Sequence, residues 1–166
     1  MALNRVATGA MNFTSVTLTR PANTTAYAAK DAISDSDSAP TILSFTVANR
    51  VSGGTGYIVG ARLSTSQSTN VARHRLHLFR STPTPINDNA AYTLLTANFA
   101  IRIGYIDFAA CQTEGSGSDV ANSQNMTIRL PYICAATTLF GALETLDAFT
   151  PASAQVYKIE LVTDLN

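Results

Sequence analysis

The chain has 166 residues, enough for one domain that buries roughly two thirds of its unfolded surface without disulfide or metal staples. Hydrophobic residues make up 46% and charged residues only 13%, where about 25% is usual, and formal net charge is zero. That excludes the disordered class, which combines low hydrophobicity with high net charge, and it lacks the basic excess of a nucleic-acid binder. Thr, Ser and Asn replace the missing charge; they suit pleated surfaces and turns, so the composition predicts an all-β protein. Such a weakly self-repelling surface suits a component of a large assembly, or equally a soluble β domain with few charges.

Residues 1–12 show no periodicity and read as a flexible or partner-docked arm, leaving 13–166 as a single β-sandwich domain. The start has no apolar core of a signal peptide, and no apolar run approaches the roughly 20 residues of a membrane span. Residues 13–20 alternate Thr14, Val16 and Leu18 against Ser15, Thr17 and Thr19, a half-buried strand closed by Pro21. A short strand over 27–30 precedes the polar loop SDSDSAP. Residues 41–51 set Leu43, Phe45 and Val47 against Ser44, Thr46 and Ala48; SGGTG follows, and then 57–66 set Tyr57, Val59, Ala61 and Leu63 against Ile58, Gly60 and Arg62. Two such runs around a glycine turn predict a hairpin.

Residues 73–79 are a further strand, with Leu76 and Leu78 on one face and His77 and Phe79 on the other. Pro83 and Pro85 stop pairing, having no backbone N–H to give, and Asp88 and Asn89 are placed to cap a helical turn within 90–99. Residues 101–108 are strand-like, 112–125 a surface loop, and 126–133 a strand demoted at its end by Pro131. Residues 137–146 are ambiguous, and 156–165 form a final strand. Seven or eight strands without a long amphipathic helix predict an antiparallel sandwich, jelly-roll-like if its connections are Greek keys.

Catalytic chemistry finds no foothold. His74 and His77, the only histidines, lie three apart on a strand and point to opposite faces, so they cannot share a metal and read as a structural pair on an exposed strand. Asp31, Asp35 and Asp37 lack the glycine and bidentate Glu of a calcium loop and read as turn residues. SGGTG has no Lys-Ser/Thr ending and precedes a strand, so it is no phosphate loop, and no serine sits in a nucleophile elbow. No enzyme, cofactor or metal is expected. Cys111 and Cys134 are expected as buried thiols, although neighbouring strands could pair them. The Asn-x-Thr triplets at Asn12, Asn23 and Asn125 are ordinary products of a Thr-rich sequence.

One charge pattern stands out. No acid occurs from Ser38 to Asn87, while Arg50, Arg62, Arg73, Arg75 and Arg80 all do, and Arg outnumbers Lys nine to two over the chain. Arginine suits fixed bidentate contacts with carboxylates on another protein, although the same residues could simply solvate outward strand faces. With the stiff corner Pro83, Pro85, Asn87, Asp88 and Asn89, these arginines form the candidate protein-docking surface.

The succession Asp31-Ala32-Ile33, a strand with Phe45, Gly56-Tyr57-Ile58, Leu76-His77-Leu78-Phe79, Pro85 and Asp88-Asn89-Ala90-Ala91 resembles small virion proteins of tailed bacteriophages, of the head-decoration or cement type. The likeness spans most of residues 27–108 and the closing strand. It implies a structural role: copies made in the host cytoplasm would bind the outer face of an expanded capsid and stabilise its lattice. The partners implied are the major capsid protein and further copies of the chain, with no nucleic acid and no membrane. A tail, neck or fibre component of the same virion is one alternative. A carbohydrate-binding module is another, disfavoured by the lack of Trp.

Overall fold

The computed structural model describes residues 10–46 and 48–165. In chain order its elements are β1 (Ala10–Thr19), β2 (Ala32–Ile33), β3 (Leu43–Phe45), β4 (Thr55–Thr65), β5 (His74–Phe79), a single helical turn α1 (Thr96–Phe99), β6 (Arg102–Phe108), β7 (Gln112–Thr113), β8 (Ala121–Asn125), β9 (Leu130–Ile133), β10 (Leu139–Thr145) and β11 (Val156–Leu165). One sheet runs β1-β11-β4-β8-β7 with β9 also on β4; the other runs β2-β10-β5-β6 with β3 also on β10, and all pairings are antiparallel. Because β2 and β3 share one flank of β10, and β8 and β9 one flank of β4, each pair acts as one interrupted strand. With the two-residue β7 set aside as a marginal addition to β8, eight strands remain in the order one-eight-three-six and two-seven-four-five, the jelly-roll arrangement. The all-β sandwich expected from composition is the observed fold.

Alternation builds the core. Leu76 and Leu78 from β5, Phe45 from β3 and Leu139 from β10 meet Ile58 and Leu63 from β4 and Ile159 and Leu161 from β11, all fully buried. Gly141 lies inward where any Cβ would come within 3.1 Å of both Leu76 and Phe45, so β10 packs closely only without a side chain there.

Several local expectations fail for identifiable reasons. Residues 41–51 and 57–66 are not a hairpin: β3 pairs with β10 in one sheet and β4 with β11 in the other. The intervening loop crosses between sheets because Asn49 folds it, its Nδ2 donating to Thr55 O (3.0 Å) and its Oδ1 accepting from Arg50 N (2.7 Å). On β4 the predicted faces hold for Ala61 and Leu63 but reverse for Ile58, which is fully buried. A bulge opposite the Val162–Thr163 junction inserts Val59 unpaired and exchanges the two faces. Within the predicted loop 112–125, β7 and β8 pair at the sheet margin. Pro131 sits inside β9, tolerated because β9 pairs only with β4. β1 begins at Ala10, so residues 10–12 of the expected arm are strand; residues 1–9 of that arm, and Val47 of the third expected strand, lie outside the described residues.

No helix among the described residues is long and apolar enough to cross a membrane. Cys111 and Cys134 are both buried free thiols, each pushed up to about 11 by burial.

Candidate protein interface

The structure scatters the predicted docking residues over the two ends and one outer face of the sandwich. The Pro83–Asn89 corner is not one docking surface. Pro83 is buried and Asp88 is 5% exposed, whereas Pro85 and Asn87 remain at the surface. Asp88 Oδ2 accepts from Arg20 Nη2 at 2.8 Å, with both side chains fully enclosed. Its Oδ1 accepts from Tyr27 Oη (2.5 Å) and Ser34 N (2.9 Å). Arg20 Nε also donates to Tyr27 Oη. Burial and the neighbouring Asp88 hold the Tyr27 hydroxyl in its protonated, donating form, far above the ordinary range. Asp88 therefore caps no helix, and α1 starts after Leu95 without a side-chain cap. Asn89 adopts φ 58° and, with its amide turned toward them, donates to Asp31 Oδ2 (3.2 Å) and Ala26 O (3.1 Å). The corner is a buried clamp that fastens the chain after β5 to the start of β2.

Two of the five arginines are likewise neutralised from within. Arg73 grips Asp147 through Nη2 (2.6 Å), Nε (3.0 Å) and its backbone N (2.9 Å), and these bonds hold the Asp147 carboxyl down at about 2. Arg75 makes a bidentate pair with Asp107 at 2.6 and 2.9 Å while lying over the Tyr105 ring at 4.1 Å. Arg62 stands exposed on the outer face of β4 beside a polar cleft with Ser64, Glu114 and Gln124.

Arg50 and Arg80 are different. They lie at the end of the sandwich where β3 and β5 finish and β4, β6 and β10 begin. Three backbone bonds gather the loops there: Asn49 N to Thr137 O (3.3 Å), Cys134 N to Gly54 O (3.0 Å) and Ala135 N to Arg80 O (3.3 Å). Ser52 Oγ adds a bond to Ala135 O (3.2 Å). Gly54 leaves room for Asn49, since a Cβ there would fall 2.4 Å from Asn49 Oδ1 and force that side chain to shift. Held so, Arg50 and Arg80 are exposed, and among the described residues neither makes an ion pair.

A third guanidinium, Arg102, lies beside Arg80. Arg80, Ala100, Arg102, Ile103, Pro131, Tyr132 and Ile133 line a cleft of about 360 Å³. Arg102 Nε is buried without a hydrogen-bond partner among the described residues, while its Nη2 donates to His77 Nδ1 at 3.2 Å. A guanidinium only donates, so His77 Nδ1 must accept, its proton resides on Nε2, and that N–H donates to Glu144 Oε2 at 2.7 Å. Burial first, then the charges of Arg102 and Arg75, lower His77 to about 3, keeping it neutral. Tyr92 stacks on its ring at 3.9 Å between centroids, which fixes the ring plane. His77 is thus not on an exposed face as predicted; it is a covered support that orients Arg102. His74 does point to the opposite face, into the core between Phe149 and Tyr157.

Around these guanidiniums Val51 (61%), Phe99 (67%) and Ile133 (46%) are exposed. The four segments that converge, residues 46–54, 79–86, 95–103 and 130–139, contain no acidic residue. Sequence reasoning missed Arg102 and Phe99 because it stopped the acid-free region at Asp88. With that carboxylate consumed by Arg20, the region extends to Ile106, and both residues fall inside it.

No family model and no curated protein matches the chain. Among solved structures it is similar to the K3 cleaved adhesin domain of Lys-gingipain from Porphyromonas gingivalis, at 11% identity and a TM-score of 0.32, covering 81% of this chain and 71% of that one.

Proposed function

We propose that the chain is a non-catalytic structural module that docks through its arginine-bearing end onto a carboxylate-presenting protein surface. The observation that carries this reading is the cleft that Arg80 and Arg102 line with Ile133, at an end of the sandwich where Arg50, Val51 and Phe99 are also exposed and whose loops contain no acid. Arginine and aromatic anchors beside a partly enclosed cleft are the composition of interface hot spots. The sequence resemblance supplies the partner: the outer face of an expanded phage capsid, where the module acts as a decoration or cement protein. A protein that binds only the mature lattice stabilises it by mass action, and many copies on one lattice add up.

The carbohydrate-binding reading has less support. Tyr105, the exposed aromatic on the outer face of β6, already stacks with Arg75 and lies 5.3 Å from Arg102, so its ring is not free for a sugar. A tail or neck location uses the same docking chemistry and differs only in the surface met. The test is co-sedimentation with mature and with unexpanded capsids of the phage that encodes the chain. Binding to mature capsids alone is the expected result; binding to neither overturns the capsid assignment, and binding to isolated tails moves the module there.

A further inference from the structure

A jelly roll has four sheet edges, and on three of them this chain has a strand that is covered, very short or charged. The free side of β2 is covered by the corner segment, through Ala32 N to Ala90 O (2.8 Å), Asn89 N to Ala32 O (3.0 Å) and Tyr92 N to Lys30 O (2.8 Å). β7 is two residues long. β6 carries Arg102 and Asp107 and meets β5 through an irregular register. Short edges, charges and irregular registers all discourage added strands.

β1 has none of these protections. It is ten residues long, AMNFTSVTLT, with no charge and no proline, and its register with β11 is unbroken from Ala10 to Thr19. Arg20 N donates to Gln155 O at 3.0 Å and continues that ladder, so the even-numbered residues of β1 bond to β11. The N–H and C=O groups of Met11, Phe13, Ser15, Thr17 and Thr19 therefore point away from the sheet, and among the described residues no bond satisfies them. The same five residues turn their side chains to the outer face, where Met11 is 56% and Phe13 63% exposed.

We propose that β1 pairs antiparallel with β1 of a second copy across a two-fold axis at Ser15, joining the two sheets that contain it into one. This register uses all five outward residues: Ser15 faces its own copy, Phe13 faces Thr17 and Met11 faces Thr19, each pair exchanging two backbone hydrogen bonds. Charge permits it. The strand itself is neutral, and the closest like charges brought together are the two Glu160 side chains, which stand beside Ser15 on β11. They end three strand spacings apart, about 14 Å, beyond the screening length of about 8 Å at physiological salt. Phe13 gains a β-branched neighbour across the new pair, a favourable cross-strand combination. A second copy fits this edge without help from any other chain, since under the two-fold the five outward residues of one β1 pair with the same five of the other and every backbone donor meets an acceptor.

Sedimentation equilibrium of the full chain tests this. The wild-type chain is expected to dimerise, and Phe13→Lys with Ser15→Lys to weaken the dimer at least about tenfold while far-UV circular dichroism stays unchanged. Mild oxidation of Ser15→Cys is expected to give a disulfide-linked dimer, and of Thr17→Cys far less, because only position 15 faces itself. A wild-type chain that is monomeric at every concentration overturns the proposal. So does a dimer that is indifferent to the lysines, or one that cross-links better through position 17.

Discussion

Arg20 and Arg80 carry the same side chain at opposite ends of one sandwich, and their surroundings give them opposite roles. Arg20 is sealed, with Asp88, Tyr27 and the carbonyl of Ala152 receiving its donors. Arg80 spends one donor on Ala100 O at 3.3 Å and offers the rest to solvent. A buried guanidinium must be paired or the fold fails, whereas an exposed one without a carboxylate is available to a partner. Under the proposed function, what separates structure from recognition is the location of the carboxylates. The closed corner has Asp31, Asp88 and Asp147, whereas the open end has no acid in its loops and only Asp164 on β11 close enough to act on Tyr132.

Breaking the closed corner has the largest expected effect. Asp88→Ala leaves Arg20 charged, buried and unpaired, and should destabilise the fold by about 3–5 kcal/mol in urea unfolding. Replacing both partners, with Arg20→Met and Asp88→Leu, should recover much of that loss. At the open end the pattern inverts. Arg80→Glu should leave unfolding free energy within about 0.5 kcal/mol of wild type yet abolish capsid binding. Gly54→Ala lies between the two: its Cβ displaces Asn49, so it should lower both stability and binding by releasing the Arg50 loop.

The two buried histidines of β5 make stability depend on pH. His74 is lowered to about 4 and His77 to about 3, chiefly by burial, so the unfolded chain binds these protons first as pH falls. Stability is thus fully present above about pH 6.5 and is lost as pH drops toward 4 and 3. Glu144, raised by burial, takes up its proton more readily when folded and opposes the loss. His74→Phe should flatten the decline between pH 6.5 and 4 in thermal melts, because it removes one buried imidazole with an unsatisfied Nε2.

The smallest effect belongs to the closed corner. Ala154 adopts φ 51°, a left-handed conformation that costs a β-carbon, in the turn that places Gln155 against Arg20. Ala154→Gly should raise stability slightly, by about 0.5–1 kcal/mol, with no change in binding.

The sandwich was legible because alternation at Thr14–Val16–Leu18, at Leu76–Leu78 and along 157–161 survives in the structure, although Val162 and Thr163 beyond it are both buried. Hairpin pairing was not, because nothing in SGGTG reveals that Asn49 will turn the chain to the other sheet. Face assignment failed at Ile58 for a similar reason: a bulge changes phase by one residue, and periodicity alone cannot locate it. The proposed docking surface was half legible. An acid-free arginine run is visible in sequence, but which arginines are neutralised depends on Asp107 and Asp147, distant in sequence and adjacent across the sheet or its turn. Asp88 misled in the same way, since its partner Arg20 lies 68 residues earlier.

The most direct test of the division between the two ends is co-sedimentation with mature capsids of the double variant Arg50→Glu with Arg80→Glu, set against Arg73→Glu with Arg75→Glu. If the open end docks, the first pair loses binding at unchanged stability, and the second, already neutralised by Asp147 and Asp107, retains binding despite some loss of stability. Retained binding by the first pair, or loss confined to the second, contradicts the assignment.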